Sequence, residues 1–303
     1  MKKRKITSYI FPAINTVLMI FIIIITIYLF WNQFILSFAK KEYLYAVEAQ
    51  WYPKSVDLSS YKVLLHYKDV WIGYLNTIIR TVVGTVLSLI VTALMAYPLT
   101  KSDIPFRKAV TMLIMFTMLF SGGLIPTYIL ITQQLHLSNS FWVTILPMLT
   151  SAYNIFIMRN FIIGIPGELE ESALIDGAGY FTIFRKIIVP LSKPVLVTEA
   201  LWIAVGHWQA WYDNLLYLQD PSKWGLQMVL REYLISNQET NILQTVKMTM
   251  GSAGAVDERQ LKSAIIVISI LPMIIIYPFL QKYMNKGLVL GAVKGSDRKV
   301  VKK

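Results

Sequence analysis

The stretch EESALIDGAGYFTIFRKIIVPLSKP, residues 170–194, places acids, glycines and a basic pair between two strongly apolar runs. Its residue types suit a contact surface. Glu168, Glu170 and Glu171 offer carboxylates where a helix would begin and complement its dipole. Gly177 and Gly179 allow a tight turn. Phe181, Phe184 and Ile188 recur at helical spacing and mark one apolar face. Two short helices at an angle, docking a soluble partner, are the expected form; an ordinary solvated loop is the alternative.

Polar groups inside the apolar runs are few, and such groups are functional candidates by default. Arg80 and Glu199 could pair with each other; Glu199, five residues past Pro194, fits an interfacial position better. Trp208, Trp211 and Tyr212, with Gln209, Asp213 and Asn214, offer ring faces for stacking and polar groups for a hydroxylated solute. An interfacial aromatic belt is the competing use, preferred for Trp211 and Tyr212. Tyr153 and Asn154 could face a pathway, with hydrogen bonding between helices as the preferred alternative.

Catalytic chemistry has no foothold. The three histidines lie far apart and there is no cysteine, so neither a metal cluster nor a thiolate site is expected. No Ser/His/Asp set or carboxylate pair sits on a shared soluble scaffold. A P-loop needs Gly-Lys after a glycine-rich turn; that dipeptide is absent, and GAVKGS near the end has the wrong order. The chain is expected to be no enzyme and to hold no cofactor.

These residues must be positioned in lipid. Of 303 residues, 55% are hydrophobic and only 15% charged, where soluble domains carry roughly a quarter charged. A span needs about 20 mostly apolar residues. Six stretches qualify, with boundaries at 9–39, 70–99, 109–131, 141–163, 195–217 and 263–283. No charge occurs from Ala109 to Met158, too long for one span, so a turn is placed near Gln133–Ser140. Continuous apolar runs, without period-two alternation, exclude a barrel. The first span is longer than a signal peptide's apolar core and lacks a cleavage site. The fold class is all-α integral membrane.

The net charge of +12 is topological. Basic residues gather in tail 1–8, in Lys101–Lys108, in 166–190 and in tail 284–303. The longer segments 40–68 and 218–262 balance their lysines with acids. By the positive-inside rule both termini and the 166–190 loop face the cytoplasm, and nucleic acid is not needed as a partner. Pro221–Leu234 has helical spacing and would suit a platform for a binding protein, or an interfacial helix.

The order Glu171-Ser172-Ala173, Gly177, Ile187, Val189-Pro190 resembles the signature loop of ATP-binding-cassette importer permeases. Ser172 and Val189 stand where alanine and leucine are usual. NTIIRTVVGTVLSLIVTALMAYPL, SGGLIPTYIL, MRNF, GHWQAWYDNLLYLQD and KGLVLGAVKG extend the likeness to the carbohydrate-uptake branch over nearly the whole chain. The resemblance implies a six-span permease subunit in the bacterial cell membrane. It would form half of an oligosaccharide path beside a second permease subunit. Two ATP-binding subunits would hold ATP and Mg, and an extracellular solute-binding protein would deliver the solute. It also implies that the loop is a coupling helix. Glu171 would pair with a base in the ATPase groove, and Ala173 and Ala178 would permit close approach. Gly177 would make the turn, Asp176 would cap it or bond within it, and Ser172 would stand at the alanine position of the motif. Alternatives are a non-sugar solute such as a glycerol-phosphate ester, or a secondary carrier, whose internal repeat is not seen.

Overall fold

The computed structural model describes residues 3–45, 51–52, 54–235 and 257–293. Every regular element among them is helical. The chain divides into two compact units, one of residues 1–68 and 232–271, the other of residues 69–231 and 272–303.

In the first unit, α1 (Lys3–Phe38) is apolar almost throughout, and every residue from Phe11 to Ile27 is exposed. A helix apolar all round and uncovered by protein has lipid as its solvent. Its end packs Ile35 and Leu36 near Ala39 and Leu44, and Phe38 stacks on Tyr61 of α2 (Ser59–His66) at 5.0 Å. The Tyr61 hydroxyl donates to Ser37. Gln33 accepts from Ser263, and Gln260 donates to the Asp57 carbonyl.

The second unit carries the chemistry. Its spine is α3 (Lys68–Ala96), 29 residues and therefore about 44 Å long. One face of α3 is a row of small or polar residues: Gly73, Thr77, Gly84, Ser88, Thr92 and Ala96 are buried, with Arg80 among them. Such rows let backbones approach closely where lipid gives helices no hydrophobic drive to associate.

Three later spans are broken. The segment expected at 109–131 forms α4 (Arg107–Leu119) and α5 (Leu124–Ile129), with a π turn at Leu130–Gln134. The two parts bend by 111° across Gly122-Gly123, where Gly123 takes φ +87°. The segment at 141–163 has short 3-10 turns at Phe141–Thr144 and Leu146–Met148, then α6 (Ala152–Ile163), with a 49° bend. The polar stretch forms α7 (Glu168–Ile175) and α8 (Tyr180–Ile183), a π turn at Phe184–Ile188, and α9 (Val189–Leu191). A 77° bend at Ser192 leads into α10 (Lys193–Gln209). Ala210 ends α10 with ψ 126°, and α11 (Tyr212–Tyr217) follows, then α12 (Leu226–Ile235). The last span lies within α13 (Glu258–Val293), which contains Pro272 and Pro278. Irregular backbone at membrane depth is tolerated where protein or a cavity satisfies it.

Helices α3 and α10 run antiparallel. Arg80 bonds Ala210, Gly84 meets His207, and Tyr97, just past α3, lies against Phe184. A core of Ala96, Leu99, Ile155, Met158, Ile162, Ile183 and Ile188 binds the end of α3 to α6 and to the segment that follows α7.

Candidate functional site

The α7–α8 protrusion is built by local rules. The Gly167 carbonyl accepts from Glu170 and Glu171 N–H, and the acids of the first turn match the helix dipole. At the other end, Gly177 N–H donates to Leu174 and Ala178 N–H to Ala173. That pair of bonds is a Schellman cap, whose penultimate position needs a left-handed backbone. Gly177 supplies it with φ +81°.

Around this turn the six expected contact residues divide. Glu171 is exposed and has no partner among the described residues. Ser172 is exposed and its hydroxyl donates to the Leu169 carbonyl at 3.2 Å. Asp176 is exposed and stands at the C-cap of α7, where its N–H donates to the Ser172 carbonyl; a side-chain bond within the turn does not form among the described residues. Ala173 and Ala178 are half-buried and pack on their own core, so the close approach their size permits is used within the chain.

Sequence reasoning passed over Glu170. Its carboxylate accepts from the Tyr97 hydroxyl and pairs with Lys101, whose ammonium lies 4.7 Å from the Tyr97 ring centre. The Arg159 guanidinium donates to the Leu99 carbonyl at 3.0 Å. The protrusion is thereby fastened to the end of α3. Beside it lies a cavity of about 330 Å³ lined by Tyr97, Lys101, Ile104, Tyr180, Phe181 and Phe184.

Near the middle of α3 the candidate Arg80–Glu199 pair does not form. The antiparallel register puts Arg80 beside residues 210–213, and its guanidinium holds both oxygens of Asp213. Glu199, expected near an interface, is fully buried with neither oxygen bonded. Asp213, expected to offer its carboxylate to a solute, is instead the partner of Arg80.

The expected path residues separate likewise. Trp208 is buried, edge-on to Tyr74 at 6.3 Å. Gln209, the last residue of α10, is exposed. Trp211 and Tyr212 are partly exposed and form a T-shaped pair at 5.5 Å, with Arg231 4.8 Å from the Trp211 ring centre. Asn214 is withdrawn from any path. It is fully buried, it donates to Asp213 and its Oδ1 accepts the Gly225 N–H at 2.9 Å. Asn154 is half-buried at the start of α6. Nearby, a cavity of about 660 Å³ is lined by Thr117, Met118, Thr150, Ser151 and Tyr153. These hydroxyls gather at the break before α6, a convergence that spacing alone does not reveal.

A polar turn closes this region. The Asp220 carboxylate accepts from the Ser222 hydroxyl and N–H, which hold its pKa below the usual carboxylate value. Asn139 accepts from Asp220 N–H and Lys223.

Comparison with known proteins gives a consistent picture. Residues 69–289 match the family described as binding-protein-dependent transport system inner membrane component. The polygalacturonan/rhamnogalacturonan transport system permease protein YtcP of Bacillus subtilis (strain 168) is 39% identical over 86% of this chain and 89% of its own. Protein LplC of the same strain is 44% identical, over 80% of this chain and 81% of its own. Among solved structures, a bacterial ABC transporter involved in the import of the acidic polysaccharide alginate matches with a TM-score of 0.85 and 31% identity. It covers 91% of this chain and 97% of that one. The chain belongs to the binding-protein-dependent transport system inner membrane components, and is an all-α, multi-pass ABC transporter permease of the bacterial cytoplasmic membrane.

Proposed function

We propose that this permease lines half of the path of an ATP-driven importer of oligosaccharides and couples it, through α7 and α8, to a separate ATPase. The observation that carries this is the protrusion itself. It exposes the unpaired Glu171 and a glycine-capped turn, and its back is packed and ion-paired onto α3 and α6. A push on α7 would therefore be delivered to the spans as rigid bodies. The solute class is supported by relatives named for polygalacturonan, rhamnogalacturonan and arabinooligosaccharides, and by the neighbour that imports alginate. In this reading both termini and the protrusion face the cytoplasm, two ATP-binding subunits supply ATP and Mg, and a second permease completes a heterodimer. A loaded extracellular binding protein biases the two states by its differential affinity for them. The 660 Å³ cavity with Tyr153 and its hydroxyls, together with Trp211, Tyr212 and Gln209, are the groups offered to the solute.

The test is gentle purification from native membranes followed by uptake. An ATPase and a second permease should accompany the chain, and labelled oligosaccharide should enter vesicles bearing the complex and its loaded receptor. Gly177→Arg should abolish uptake and loosen the ATPase while membrane insertion persists. Full uptake by Gly177→Arg would remove the coupling role.

A further inference from the structure

We infer that Arg80 and Asp213 are positioning residues that hold the broken end of the fifth span, and with it the Trp211–Tyr212 ring pair, at one fixed place beside α3. Its consequence for transport rests on the path reading above; the placement of the rings does not.

Arg80 is 2% exposed and sits in the middle of α3, yet all its bonds leave that helix. One guanidinium nitrogen donates to Asp213 Oδ1 at 3.2 Å and to the Ala210 carbonyl at 3.4 Å. The other donates to Asp213 Oδ2 and lies 3.3 Å from Met148 Sδ. One planar cation thus gathers the end of α10, the start of α11 and the turn before α6. Ala210 is where α10 stops, so its carbonyl lacks a helical partner and Arg80 supplies one. Asp213 completes the junction by accepting from Asn214 N–H and Nδ2, each at 3.0 Å. Trp211 and Tyr212 lie between Ala210 and Asp213. Both of their flanks are tied to the same guanidinium, which fixes where the two rings stand.

A merely stabilising ion pair and a positioning one respond differently to replacement. A buried pair exchanged for apolar residues of similar volume often keeps or gains stability, but it cannot bind the Ala210 carbonyl. Lysine keeps the charge and loses the fork, so it cannot reach Asp213, Ala210 and Met148 together.

The experiment uses Tyr212→Cys in the complete purified transporter; the chain has no other cysteine. Its rate of reaction with a water-soluble maleimide is measured with Arg80 intact, with Arg80→Lys, and with Arg80→Met combined with Asp213→Leu. The half-saturation of stimulated ATPase activity by loaded binding protein is measured for the same three backgrounds with Tyr212 retained. We expect Arg80→Lys to assemble and to change the maleimide rate at least fivefold. The apolar pair should match the wild-type melting temperature while its maleimide rate stays altered and its half-saturation rises about tenfold, turnover falling less. An unchanged maleimide rate in Arg80→Lys overturns the proposal. So does an apolar pair restored in both rate and half-saturation, because that is the behaviour of a replaceable stabilising contact. If the maleimide rates shift as expected but intact transporter takes up no oligosaccharide, the positioning role stands and the solute reading fails.

Discussion

Gly84 and Gly177 are glycines for opposite reasons. Gly84 has an ordinary helical backbone, but a Cβ there would lie 2.5 Å from the His207 ring. Gly177 would give a Cβ open space on every side, yet its φ of +81° disfavours any side chain. The first glycine serves packing and the second serves a bend. The same contrast separates the middle of α3 from the segment just past its end. At Arg80 the ties are buried and the helices are in close contact; at Tyr97 they are partly exposed and lead to a protrusion with open surroundings. The first junction is enclosed by protein; the second carries a protrusion whose outer face is exposed.

The contrast breaks first at Gly84. Gly84→Leu inserts a side chain where His207 already sits and should cost about 3 kcal/mol, read as a lower melting temperature of the solubilised protein. Adding His207→Ala should recover part of that loss. An unchanged melting temperature in Gly84→Leu would mean that α3 and α10 are not in contact as described.

At Gly177 the expected cost is conformational only. Valine there should cost about 1–2 kcal/mol of left-handed strain, and asparagine less, since it tolerates that region. Uptake should therefore rank glycine, asparagine, valine with insertion unaltered in all three. If valine and asparagine behaved alike, backbone geometry would not be the reason for this glycine.

A smaller effect belongs to Glu170. Its pair with Lys101 is partly exposed, so a double-mutant cycle of Glu170→Gln and Lys101→Met should give at most about 1 kcal/mol. The transport per ATP hydrolysed should fall, because α7 is then less firmly joined to α3. A coupling energy above that range would place this end among the buried junctions and erase the distinction.

Asp220 sharpens the comparison at the lower limit. Its folded pKa is depressed by the Ser222 bonds, so its contribution is present above the unfolded carboxylate value and is lost as pH falls through the lower folded value. Ser222→Ala should flatten acid sensitivity only below the ordinary carboxylate range, measured as melting temperature against pH. A difference between the variants at neutral pH that persists undiminished in acid, with no change in the acid slope, would contradict that origin.

Much of this was legible in the sequence where the cause is local. The six apolar runs and the glycine turn at 177 follow from composition and spacing, and the structure adds the Schellman bonds that explain why the glycine stands there. Non-local pairings were not legible. Arg80 was conspicuous as a lone cation, but choosing between Glu199 and Asp213 requires the register of α3 against α10, which no periodicity encodes. Asn214 looked solute-facing by residue type and proved to be tied to Asp213 and Gly225. The bends in the third, fourth and fifth spans depend on tertiary support for open backbone. The 111° bend at Gly122-Gly123 emerges only in the structure.

The 17 residues of α10 amount to about 26 Å of helix, short of the roughly 30 Å hydrocarbon layer of an average bilayer. Its ends are therefore met by bent backbone. Lipids with longer acyl tails would press their methylenes against those bends, so the turnover of this transporter should depend on membrane thickness and should slow in thicker, more ordered bilayers.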